Sequence, residues 1–155
     1  MSACLIYDLA PIGSIISWSD GTPRPPARFA KKLAAWETRN SQGRLIRKEM
    51  PRTVGTYNMP ASFTVHQGDL GGGLVVLIKL HRTFSVESTL TFQVIAQPAP
   101  GSVRIFDRAG EQRELLHLAE DCAAAEAWLE THRYPNAVLE VVSAGDVCDT
   151  FASAP

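Results

Sequence analysis

Residues 62–95 read SFTVHQGDLGGGLVVLIKLHRTFSVESTLTFQVI, and this stretch decides the fold. Ser62 to His66 alternates polar and apolar side chains with the period of a strand that has one dry face. Gln67 to Gly73 is rich in glycine and reads as a loop, and Leu74 to Phe84 is a long apolar strand with Lys79 and His81 near its exit. Leu90 to Ile95 alternates again, with Leu90, Phe92 and Val94 on one side and Thr91, Gln93 and Ile95 on the other. Connections this short cannot hold a helical crossover, so the strands run as an antiparallel meander.

Working outward, Pro98-Ala99-Pro100-Gly101 ends the meander, Val103 to Phe106 is a further strand, and Leu115 to Leu118 another. Asp121 is an N-cap for a helix to about His132, with Trp128 and Leu129 turned inward, and Ala137 to Val142 is a last strand. Toward the N-terminus, the apolar residues of 5–19 are interrupted by Pro11 and Gly13. Ser14 to Trp18 reads as a short strand closed by Ser19-Asp20-Gly21. Pro26 suits the first helical position, and Ala27 to Thr38 is the clearest helix, with Phe29, Leu33 and Trp36 on one face. Asn40 to Gly43 supplies its stop. Arg44 to Lys48 is a short strand at a sheet edge, and Pro51, Gly55 and Pro60 mark an irregular connection. The expected fold is α+β, a mostly antiparallel sheet of about five to seven strands with two helices packed on it. Residues 1–142 form one domain and 143–155 a loose tail.

With 155 residues, 45% apolar and 20% charged, the chain has enough material for one hydrophobic core. Its longest apolar run, Leu74 to Ile78, is far short of the roughly 20 residues that span a bilayer. No signal-like segment opens the chain, and Cys4, Cys122 and Cys148 are an odd, scattered set. A soluble cytoplasmic protein with reduced thiols is expected, with no membrane partner.

The net charge of −1 conceals an asymmetry. Residues 24–52 hold nine basic and two acidic side chains, a net of +7, whereas residues 107–155 hold three Arg against ten acidic side chains, a net of −7. The candidate polyanion-binding residues are Arg28, Lys31, Lys32, Arg39, Arg44, Arg47, Lys48 and Arg52, because cations at this density can neutralise several phosphates. Trp18, Trp36 and Tyr57 are the aromatic side chains available to stack on bases, with Trp36 assigned to the core. The competing reading pairs the basic segment with the later carboxylates, or leaves both solvated.

No catalytic set, metal template or cofactor motif is legible. His66, His81, His117 and His132 show no zinc spacing. His81-Arg82-Thr83-Phe84 has the H-x-T form of two-histidine phosphoesterases, which need two copies, and no other histidine here supplies the second. Asp69 to Gly73 lacks the Lys-Ser/Thr ending of a phosphate loop and suits a hairpin. Cys122 is surrounded by acid, which opposes thiolate formation.

Ranked first is a non-enzymatic protein-interaction module: an inhibitor, an immunity-type protein or an accessory subunit. Copies of the chain could also pair head to tail as a homo-oligomer. Nucleic-acid or polyanion binding through residues 24–52 is the alternative. An enzyme ranks last, and it requires His66 and His81 to open into one cleft, with Asp69 beside them.

Overall fold

The computed structural model describes residues 1–72 and 75–146, and the side chains of 69–78 are not considered. The elements run α1 (Ala3–Leu9), β1 (Ile15–Ser19), α2 (Ala30–Arg39), β2 (Ser41–Glu49), β3 (Arg52–Val54), β4 (Tyr57–Met59) and β5 (Ser62–Gly72). They continue as β6 (Val75–Ser85), β7 (Thr91–Ala96), β8 (Val103–Phe106), β9 (Leu115–Ala119), α3 (Cys122–Thr131) and β10 (Val138–Val141), closed by a 3-10 turn at Ala144–Asp146. The fold is α+β and mostly sheet, with every strand pair antiparallel among the described residues.

The strands divide among three sheets of five, three and two members, ordered β6-β5-β2-β1-β7, β10-β8-β9 and β3-β4. One face of the large sheet carries Ile16, Trp18, Leu45, Phe63, Val65 and Phe92, all buried, and α1 covers it with Ala3 and Ile6. Phe63, Phe84 and Phe92 meet at ring-centroid distances of 5.2–5.7 Å in tilted and edge-to-face contacts. The small sheet packs Val103 and Ile105 against α3, and Ile46 joins Phe106 and Leu115 where the two sheets meet. Arg104, 4% exposed, links the small sheet to the loop before β1: its Nε donates to Ile12 O at 2.8 Å, and within the sheet its Nη1 donates to Glu140 Oε1 at 2.9 Å.

Several local expectations need correction. Residues 3–9 form a helix, capped by Ser2 Oγ accepting from Leu5 N, which lies ahead of the interruption at Pro11. The segment 44–48 is part of a longer strand: β2 is nine residues long, with β1 paired over residues 41–44 and β5 over residues 44–49. Gly43 lies inside that strand rather than ending a helix. A Cβ there would meet His66 O at 2.9 Å, so the close approach of β5 selects glycine. The connection 50–61 contains a hairpin, β3–β4, and β5 runs through the expected loop as far as Gly72. Helix α2 begins at Ala30, not near Pro26, and buries none of its residues: Phe29 is exposed, and Trp36 lies half out, its Nε1 donating to Thr22 O. Trp18, expected as a free stacking ring, is core. Ser143 N–H and hydroxyl donate to Asp146, which orders the start of the expected loose tail. Residues 147–155, with Cys148 and Phe151, lie outside the described residues.

Candidate functional site

The basic segment is split by its secondary structure. Arg28 precedes α2, and Lys31, Lys32 and Arg39 stand on it, all exposed and without an ion pair among the described residues. Arg28 and Lys32 lie over the Phe29 ring at 4.8 and 5.2 Å. The helix is held by the loop before it. Asp20 accepts from Thr22 N–H, Thr22 hydroxyl and Asn40 Nδ2, bonds that pull its carboxyl down to about 2. Arg52 is exposed on β3.

The β2 cations are engaged instead. Arg44 Nη1 donates to Gly13 O at 2.6 Å. Arg47 pairs with Glu49 at 3.2 Å and Glu114 at 3.7 Å. Lys48 lies over Tyr7 at 5.8 Å, its pKa lowered by burial. A register shift between Leu45 and Arg47 explains the division: it puts Ile46 and Arg47 toward the small sheet and returns Lys48 to the α1 side. No carboxylate of α3 pairs with the basic segment among the described residues.

A second constellation is the larger one. The four histidines, separated by up to 66 positions in sequence, line one cleft of about 570 Å³ between the large sheet and β9–α3. Its first wall is a row across three adjacent strands, because Arg44 pairs with His66 and His66 with His81 in the ladder. Lys79, two residues before His81 on β6, lines the same cleft. The His66 and His81 rings meet edge to face at 5.6 Å. Burial lowers the His81 pKa, opposed by Glu114 and reinforced by His66, Lys79 and Arg47.

The other wall is aromatic. Trp128 lies parallel to His132 at 4.1 Å and 4°, to His117 at 5.1 Å and 3°, and to Tyr134 at 5.9 Å and 7°. Helix α3 fixes Trp128 through the Asp121 cap, whose carboxylate accepts from Ala124 N–H at 2.7 Å. His132 Nδ1 lies 3.0 Å from Trp128 O and 2.9 Å from Thr131 Oγ1. Burial lowers the His117 pKa, with His132 and Arg44 acting the same way.

His66 and His81 therefore share a cleft, as the enzyme reading requires, whereas the Asp69 side chain lies outside those considered. No group of three or more His, Cys, Asp or Glu suited to a metal forms among the described residues. Cys4 and Cys122 are free and exposed, and Asp8 pushes the Cys4 thiol up, which disfavours a nucleophile. No spacing in the sequence marks the cleft, since strand register sets one wall and the packing of β9 and α3 sets the other. No helix of the described residues is long and apolar enough to cross a membrane.

Fold and cleft define an α+β domain with a histidine- and arginine-lined groove backed by parallel aromatic rings. Residues 1–146 match the family described as Uncharacterised conserved protein UCP036055, and the chain belongs to that family. No curated protein and no solved structure matches it.

Proposed function

We propose that the chain is a binding domain whose cleft takes a ligand combining a phosphate with a planar ring, in the class of a ribonucleotide or a short single-stranded RNA segment. The observation that carries this reading is the convergence of His66, His81, Arg44 and Lys79 opposite the parallel rings around Trp128. Cations and imidazoles suit the anion, and an aromatic array suits a base, for which stacking contributes about 1–3 kcal/mol. A volume of about 570 Å³ falls within the range of small-molecule sites.

Calorimetry with adenosine monophosphate, adenosine and inorganic phosphate tests it. The nucleotide should bind more tightly than either fragment, and Arg44→Gln or Trp128→Ala should weaken it. Equal binding of nucleotide and nucleoside, or indifference to both substitutions, counts against the cleft.

A second reading, a protein-interaction module, is favoured by one observation. The β3–β4 hairpin is exposed at all six positions, with Val54 57% and Tyr57 71% exposed. An apolar arm of this kind suits an accessory subunit or inhibitor. Here the test is co-purification of a stoichiometric protein from the native host, lost on Val54→Lys with Tyr57→Lys. The outward cations Arg28, Lys31, Lys32 and Arg39 supply a separate surface for a polyanion under either reading.

A further inference from the structure

We propose that the paired imidazoles of His66 and His81 cleave single-stranded RNA, by transfer of the phosphodiester to the neighbouring 2′-hydroxyl. The inference rests on the nucleotide reading of the same cleft and adds a reaction to it.

Two features of the wall point to this chemistry. First, general acid–base catalysis of a displacement at phosphorus needs one group to accept a proton while another donates one. His66 and His81 are opposite each other on β5 and β6, with rings 5.6 Å apart, so one phosphodiester can lie across both. Second, Arg44 extends the same row and Lys79 stands two residues from His81, so positive charge lines the wall against which a phosphorane would gather negative charge.

The remaining lining narrows the nucleophile. Among the described residues, no serine, threonine or cysteine lines the cleft, and Glu114 is its one carboxylate. That donor set does not match a pair of metals clamped by several carboxylates. A nucleophile carried by the substrate fits better, and RNA carries one in its 2′-hydroxyl.

The step balances without a co-reactant. His81, whose imidazole burial favours in the neutral form, takes the 2′-hydroxyl proton as the O2′–P bond forms. The P–O5′ bond breaks, and His66 delivers its proton to the departing O5′. The products are a 2′,3′-cyclic phosphate and a 5′-hydroxyl end, and solvent exchange restores both imidazoles. A base beside the scissile bond extends the parallel rings of Trp128 and His132.

The test uses the full chain, excess chelator, a ribonucleotide dimer such as uridylyl-adenosine, and its 2′-deoxy counterpart. The ribo-dimer should yield a cyclic phosphate by phosphorus NMR, and the deoxy dimer should bind without being cut. His66→Gln and His81→Gln should each slow cleavage by about 100-fold or more. Added imidazole should partly restore His81→Ala, which separates lost chemistry from lost fold. Trp128→Ala should raise KM more than it lowers kcat. Binding of both dimers with no cleavage overturns this inference and leaves the nucleotide reading standing. Binding of neither overturns both, and cleavage that survives the histidine substitutions assigns the activity elsewhere and sinks the proposal.

Discussion

Replacing Glu140 with Gln probes the buried ion pair inside the small sheet, whose Arg104 also reaches the loop before β1. Arg104 is 4% exposed, and Glu140 faces it in the β8–β10 ladder with 2.9 Å between Nη1 and Oε1. Glu140 also accepts from Arg113 at 2.6 Å, so one carboxylate serves two guanidinium groups. The substitution keeps the shape but leaves the buried charge with Ile12 O and with Asp146 at 3.8 Å. Asp146 stays ionised because the Ser143 N–H and hydroxyl lower its pKa, so it compensates in part. Removing one partner of a buried pair costs about 3–5 kcal/mol, and with Glu140 partly exposed the lower end, about 3 kcal/mol, is expected. For a chain of this size that is a fall in Tm of about 6–12 °C. Urea unfolding should give the same loss. Arg104→Met combined with Glu140→Gln should be at least about 1 kcal/mol more stable than the two single effects predict, because no buried charge remains. A Glu140→Gln protein within about 0.5 kcal/mol of the parent, with additive singles, would refute the view that this pair stabilises the small sheet.

Three further outcomes are expected. Gly43→Ala should lose about 1–3 kcal/mol by forcing β5 away at His66 O, and NMR should find the His66 ring displaced; an unchanged urea midpoint removes the close-approach argument. Burial holds His81 and His117 below their ordinary 6.5, so the folded chain binds fewer protons than the unfolded chain under that value and stability falls as pH drops through it. Urea midpoints at about pH 7.5 and about pH 5.5 should therefore differ more in the parent than in His81→Asn with His117→Asn, and parallel losses contradict the assignment. Replacing Arg28, Lys31, Lys32 and Arg39 with Gln should flatten the salt dependence of single-stranded oligonucleotide binding by up to about 0.7 per phosphate contact removed, whereas Lys48→Gln should leave it unaltered; equal effects would mean that burial does not sort these cations.

The antiparallel α+β architecture was legible because period-two alternation is a local signal. Leu90, Phe92 and Val94 face the core as their spacing requires, and Asp121 caps α3 as its chemistry requires. What could not be read depends on partners distant in sequence. Arg44 to Lys48 reads as an isolated short strand, yet it continues a nine-residue strand whose partners, β1 and β5, come from segments distant in sequence. Phe29, Leu33 and Trp36 form an apolar face by helical spacing, but that pattern says nothing of whether a sheet lies beneath it, and α2 buries none of them. The H-x-T segment at His81 has no second copy in the sequence, and its neighbour His66 is brought opposite it by strand pairing, which leaves no motif to read.

The +7 segment also changes meaning once the register is known. Along α2 the cations Lys31, Lys32 and Arg39 are exposed. Along β2 alternation sends neighbouring residues to opposite faces, so Arg44 enters the histidine cleft while Leu45 enters the aromatic core. The register shift at Ile46 then keeps Arg47 on the cleft side, against Glu114, and sends Lys48 to Tyr7. One run of positive charge is thus divided between surfaces. Its density in sequence does not show the division, because a strand divides charge between faces whereas a solvated helix gathers it on one. Arg44 is the residue at which the two ideas part: it counts equally with Lys31 in the charge total, but only Arg44 stands in line with His66 and His81.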